Sequence, residues 1–306
     1  MRMHHLLLTV CLLAGQSVAS ESVNPPPHPL QGRIWDVAAK RFISAEATYQ
    51  RAAASRYVLL GEKHDSEYHH AGQLMVLQAL AARGVTPALA MEQMDAPHQP
   101  ALSAAQQTGV NDAELLADAG QLNRTGWRWP AYKALIAFAA ARQWPLLAAN
   151  LSRLDAREIA MGKVVPLVPA IDDARRARME HDVVQGHCGQ RPDARRLHDI
   201  VLAQRARDVQ MAKVLDSAKG SVVLIAGAGH VLADRAVPQY LAEPQRALAL
   251  AFVELDGQKL QPGDYDPAGL DLLWFTPPTP RSDPCAVALT GSVASPELTI
   301  KPKEMK

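Results

Sequence analysis

YVLLGEKHDSEYHH, residues 57–70, opens with an unbroken apolar run and turns polar within two residues of its end. The run at 57–60 has the length of a strand. It is continuous rather than alternating, as expected for a strand covered on both faces of a parallel sheet. The polar part then starts a helix, with Asp65 or Ser66 as its N-cap and His69 and His70 in its first turn. Working outward, similar apolar runs lie at 87–91, 145–149, 222–226 and, more weakly, 247–253. Helical patterns fall between them at 67–83, 130–142, 192–217 and 231–242. Strands alternating with helices predict an α/β fold with a mostly parallel central sheet flanked by helices. The segments 96–120 and 153–218 read as helical insertions, the second forming a cap over the sheet.

Ligands of open parallel sheets bind beyond the carboxyl ends of the strands, so the residues that follow each run are the candidates. They are Glu62, His64 and Asp65 after the first run, Glu92 after the second, Asn150, Ser152 and Arg153 after the third, and GAGH with His230 after the fourth. Gly61 and Gly227 are expected to turn the backbone out of the sheet. His64 and His230 are then expected to face one another across neighbouring strands, beside Glu62 and Glu92. That group suits general acid–base work or a divalent metal held by His64 and His230. Arg153 is expected to balance the two carboxylates, which without a cation would raise one another's pKa. The plainer alternative is a hydrogen-bonded polar cluster that only closes the sheet edge.

The 192–217 helix has an apolar stripe of Leu197, Val201, Met211, Val214 and Leu215, and Gln204 and Asp208 fall on it. Polar side chains on an inward face need partners. Gln204 and Asp208, with Asn150, are therefore expected behind the cluster as supporting contacts. GWRWPAYK, residues 126–133, places Pro130 at a helix start. Trp127 and Trp129 read as packing there, while Arg128, Tyr132 and Lys133 would suit a flat, anionic macrocycle.

The first 19 residues, MRMHHLLLTVCLLAGQSVA, read as a secretory signal peptide: Arg2, an apolar centre too short to span a bilayer, then small residues. Cys11 lies inside that apolar centre, without a small residue before it, which argues against lipid attachment. Residues 20–32 form a Pro-rich leader, 33–275 the α/β domain and 276–306 a Pro-rich, polar tail. Without Arg2 the 32 Lys+Arg and 31 Asp+Glu balance, so nothing favours nucleic acid as a partner. At 48% hydrophobic residues the chain is not disordered. Two cysteines remain after export, Cys188 and Cys285. An even count in an oxidising compartment favours a disulfide between them over two free thiols.

The segments YVLLGEKHDSEYHH (57–70), ALAMEQ (88–93), GWRWPAYKALIAFA (126–139), LLAANLSR (146–153), GHCGQRPDARRLHDIVLAQRARDVQMA (186–212) and VVLIAGAGHV (222–231) resemble the ChaN family of haem-binding proteins, within the wider Tiki superfamily. The resemblance implies an exported, periplasmic protein of bacterial iron uptake that works with outer-membrane haem-uptake components. It also implies haem held between the two protomers of a homodimer. A tyrosine on the iron, with histidine or lysine at the propionates, points to Tyr132 or Tyr68 for the first role and to His69, His70, Lys133 and Arg128 for the second. The superfamily also holds hydrolases, some metal-dependent, with functional residues at positions resembling Glu62, His64, Glu92 and His230. A hydrolase is the alternative reading, since a haem carrier has no evident need for so many polar strand ends.

Overall fold

The computed structural model describes residues 28–282 and Cys285; the signal-like segment and most of the tail lie outside the described residues. Eight strands form one sheet in the order β2-β1-β8-β7-β3-β6-β4-β5. The parallel part joins β3 (Tyr57–Glu62), β4 (Ala88–Asp95), β5 (Leu146–Asn150), β6 (Val222–Gly227), β7 (Ala247–Glu254) and β8 (Leu272–Thr276). A short antiparallel hairpin, β1 (Ile34–Asp36) and β2 (Arg41–Ile43), extends the β8 edge. The expected sheet is thus present, and all five apolar runs are strands within it.

Alternation of side chains sorts the sheet into two faces. Val58, Leu60, Leu89, Met91, Val223 and Ile225 face one core, which α1 (Ala45–Ala54), α2 (Glu67–Ala82), α3 (Gln99–Gln107), α4 (Ala113–Ala119) and α5 (Lys133–Ala141) cover. Tyr57, Leu59, Ala88, Ala90, Leu224 and Ala226 face the other, covered by Met211, Ala212 and Leu215 of α8 (Ala194–Ser217). The expected cap is built from α6 (Arg153–Ala160), α7 (Asp173–Gly186) and α8. Ile159 packs there on Ala203 and Ala206, and Ser152, Asp172 and Asp193 cap the three helices through their side chains.

One expected helix is absent. Residues 231–242 hold only a single tight turn, Val237–Tyr240. Pro238 lacks an amide proton and its ring clashes with the carbonyl four residues back, so an α-helix cannot run through it. The sequence also gave no warning of β8 or of the hairpin, whose strands have three residues each. The packed chain reaches Leu30, buried with Tyr265 and Phe275, and on the other side Arg281, which bonds Asp65 and Glu254. Cys188 and Cys285 form a disulfide with their Cα atoms 5.4 Å apart. No described helix is long and apolar enough to cross a membrane.

Candidate functional site at the carboxyl edge of the sheet

Strand parity sends the two carboxylates to opposite faces. Glu62 continues the side of Val58 and Leu60, towards α2 and α5, whereas Glu92 continues the side of Ala88 and Ala90, towards α8. Each meets a histidine from a strand end. His64 Nδ1 donates to Glu62 Oε1 at 3.0 Å. His230 lies with Nδ1 2.6 Å from Asp208 Oδ1 and Nε2 3.5 Å from Glu92 Oε1. The two halves meet at Gly227, whose amide donates to Glu92 Oε2 at 2.7 Å. A Cβ there would stand 2.9 Å from His64 Nε2. Neither Gly61 nor Gly227 has a left-handed φ; Gly61 lies within β3, whereas Gly227 ends β6, where the chain leaves the sheet for the tight turn Ala228–His230. Both are glycines because neighbours approach closely: a Cβ on Gly61 would lie 2.6 Å from Val231.

Glu62 is fully enclosed. Besides His64 it accepts from Tyr132 Oη at 2.5 Å, Gln73 Nε2 at 2.7 Å and Gln93 Nε2 at 3.3 Å, with His70 Nε2 3.3 Å away. Burial pushes its pKa up, but hydrogen bonds from His64 and His70 and their positive charge outweigh that and hold it at about 2. For His64, burial works downward and loses to the Glu62 hydrogen bond and the charges of Glu92 and Glu62, so its pKa rises. His230 behaves alike: desolvation is overcome by Glu92 and Asp208, and its pKa rises to about 9. Burial lifts Asp208 to about 6 despite the His230 charge. Tyr132 is driven far up by burial and the Glu62 charge, so its phenol keeps its proton.

The structure therefore brings together Glu62, His64, Glu92, His230 and Asp208. Asn150 supports them, donating to the Glu92 carbonyl at 2.9 Å. Arg153 does not join. Ser152 caps α6 and Arg153 stands exposed on its first turn, its amide bonded to Asp95 Oδ2 at 2.9 Å. Donors from histidine, tyrosine and glutamine neutralise Glu62 instead. Gln204 is half-buried and enters none of these hydrogen bonds. No group of three or more His, Cys, Asp or Glu among the described residues has the arrangement of a metal site, so the expected metal on His64 and His230 finds no support.

The haem candidates separate in the same way. His69 is 1% exposed and acts as a latch: Nδ1 accepts from the Lys63 amide at 2.8 Å and Nε2 donates to Thr276 Oγ1 at 3.1 Å. Burial depresses its pKa to about 4, so it is neutral. Lys133 is held by Glu114 at 2.8 Å. Tyr132 is buried, whereas Tyr68 is exposed on α2. His64, His70 and Arg128 line a cleft of about 350 Å3 between α2 and the start of α5, walled by Ala71, Leu74, Ala131, Ala134 and Leu135. Trp127 stands edge-on to His64 at its margin, with ring centroids 4.9 Å apart. Gln73 and Gln93 were not expected here. For Gln73 the signal was present, a polar residue on the inward face of a helix, the same logic that singled out Asp208.

Residues 48–241 match the sequence model of the family described as haem-binding uptake, Tiki superfamily, ChaN. Among solved structures, one reporting cofacial haem binding to ChaN of Campylobacter jejuni superposes with a TM-score of 0.68 at 22% identity, covering 79% of this chain and 95% of that one. A toxin effector domain, RRSP, from Vibrio vulnificus reaches 0.39 at 17% identity, over 69% and 36% of the two chains. The erythromycin esterase EreC reaches 0.38 at 16%, over 80% and 82%. No curated protein sequence matches. The first of these structures has the same fold, and the matched family segment spans more than half of the sequence: this chain belongs to the ChaN family of haem-binding uptake proteins.

Proposed function

We propose that the chain binds haem in the cleft between α2 and α5, with His64 towards the iron and Arg128 at a propionate. The observation that carries this is the composition of the cleft: aliphatic walls, the imidazoles of His64 and His70 and the Arg128 guanidinium, with the carboxylates of Asp65 and Glu67 also lining it. That donor set fits haem. An imidazole whose Nδ1 is hydrogen-bonded to a carboxylate, as His64 is to Glu62, makes a strong iron ligand. Arg128 is largely exposed, and its long ion pair with Asp65, at 3.5 Å, would be exchanged for an acidic group of the ligand. Of the two tyrosines, Tyr68 is the one open to solvent, and it is the second candidate for the iron.

At about 350 Å3 the cleft is near the small end of ligand pockets, which run from about 300 to 1,000 Å3. Haem would keep one face uncovered, and a second copy of the chain would cover it, as the cofacial haems of Campylobacter jejuni ChaN suggest. Tyr68 and Met75, both exposed on α2, would join that contact. The disulfide fits an oxidising compartment. It supports a periplasmic location, where such a carrier would exchange haem with outer-membrane uptake components. Titration of the oxidised protein with haem should give a saturable Soret band and, by analytical ultracentrifugation, a doubling of mass. His64→Ala should remove the band and Tyr68→Phe should keep it; the reverse pattern assigns the iron to Tyr68, and no band from the unaltered protein refutes the reading.

A second reading, hydrolysis, has its own observation: His230 is clamped between Asp208 and Glu92. With its pKa raised to about 9, its imidazolium is set to donate a proton to a leaving oxygen. Turnover of nitrophenyl esters that disappears in His230→Asn while the Soret titration persists would establish it. Equal turnover in that variant would discard it.

A further inference from the structure

A second cavity, of about 250 Å3 and lined in part by Trp127, is used by neither reading above. It opens beyond the carboxyl ends of β4 and β5, where open parallel sheets take ligands. Arg153 and Arg207 both line it, and neither guanidinium forms an ion pair with any described residue. Arg207 is half-buried and spends one hydrogen bond on a neutral partner, Asn150 Oδ1 at 2.8 Å. Asn150 is itself fixed by the Glu92 carbonyl, so the guanidinium is held in place. A partly desolvated guanidinium without a carboxylate is a prepared anion site, because its fork of donors matches carboxylate oxygens.

The same cavity also has acceptors to fill. Gln93 is 2% exposed and its Nε2 is used by Glu62. Its Oε1 has no hydrogen-bond partner and no accessible surface; Gln93 lines the cavity, and a turn of its amide would present that oxygen to a ligand. A buried acceptor left unpaired is costly and calls for a donor. Asp95, beside it, uses Oδ2 on the Arg153 amide, which leaves Oδ1 as a second acceptor. Cations and acceptors thus share one small space, and a simple inorganic anion or an apolar molecule would satisfy only part of it.

We infer that this cavity binds a small organic acid whose carboxylate lies next to a hydrogen-bond donor, either a hydroxyl or an ammonium group. Arg153 and Arg207 take the carboxylate; Gln93 Oε1 and Asp95 take the donor. Three four-carbon diacids separate the parts: L-malate carries the hydroxyl, L-aspartate the ammonium, and succinate neither. Isothermal titration of the full oxidised chain, without haem, should show malate or aspartate binding at least tenfold tighter than succinate. The tighter of the two identifies the donor. Arg207→Gln and Arg153→Gln should each weaken that binding tenfold or more with unchanged melting temperature, and Arg207→Lys should recover part of it. The inference is overturned if succinate binds as tightly as the other two, if none of the three binds, or if both glutamine variants bind like the parent. Its failure would leave the haem reading untouched, since no residue assigned to haem lines this cavity.

Discussion

Glu62 is a fully buried carboxylate, kept charged by donors from four separate segments of the chain. Removing one partner of such a buried group leaves the others desolvated and unmatched. Glu62→Gln is therefore expected to cost about 3–5 kcal/mol of unfolding free energy, read from urea denaturation. Tyr132→Phe, which removes one hydrogen bond to a charged group, should cost about 1.5–3 kcal/mol. Two histidines set opposite limbs of a pH profile. His69 has its folded pKa lowered to about 4 from 6.5, so only the unfolded chain takes up its proton between those values. Stability from this residue is full above about 6.5 and is lost as pH falls towards 4. His230 has its folded pKa raised to about 9; its contribution is full below about 6.5 and is lost as pH rises through 9. Melting temperature should peak near pH 6.5, His69→Gln should flatten the acid side and His230→Gln the alkaline side. A profile unmoved by both substitutions would contradict these assignments. At this scale the sequence was informative wherever the backbone dictates position. Strand ends on one edge brought Glu62, His64, Glu92 and His230 together, and helical spacing placed Asp208. It misplaced Arg153, whose direction depends on a capping turn, and was silent on which tyrosine is buried.

Among the elements, α2 shows how close packing fixes the site's geometry. Its residues His69, His70 and Gln73 all face inward, and the helix comes near enough to β7 that a Cβ on Gly72 would lie 2.3 Å from Phe252. Alanine is the better helix former by about 1 kcal/mol, but the overlap forces Phe252 or the helix to move. Gly72→Ala should lower stability by about 1–3 kcal/mol and, by lifting α2, weaken haem uptake in the same titration. A more stable Gly72→Ala protein would show that α2 yields easily. The apolar runs were readable as strands because they are too short for buried helices and end abruptly in polar or glycine residues. Short edge strands carry too few residues for any period, so β1 and β2 escaped. The 231–242 segment misled because its apolar spacing was helical while Pro238 forbade the helix.

For the whole molecule, the disulfide is the longest-range covalent constraint. It joins residues 97 apart in sequence and fastens the chain beyond β8 to the end of α7. Arg281, nearby in that same segment, grips Asp65 and Glu254 over the loop after β3. A closed loop of this length removes enough freedom from the unfolded chain to stabilise the fold by about 4–5 kcal/mol. Reduction, or Cys188→Ser, should lower the melting temperature accordingly; an unchanged value would mean the bridge constrains little. The pairing was foreseeable from cysteine count and the signal-like start, but not from distance, because nothing local places α7 beside the tail.

The sheet order has a consequence in time as well as in space. β3 leaves the ribosome early, yet both of its neighbours, β6 and β7, come from beyond residue 220. Until about three quarters of the chain has been made, that apolar strand has no partner to zip against, and closing so wide a loop is slow. A nascent chain of this design stays open for most of its synthesis, which is the condition a polypeptide needs if it is to be threaded through a translocation channel before it folds.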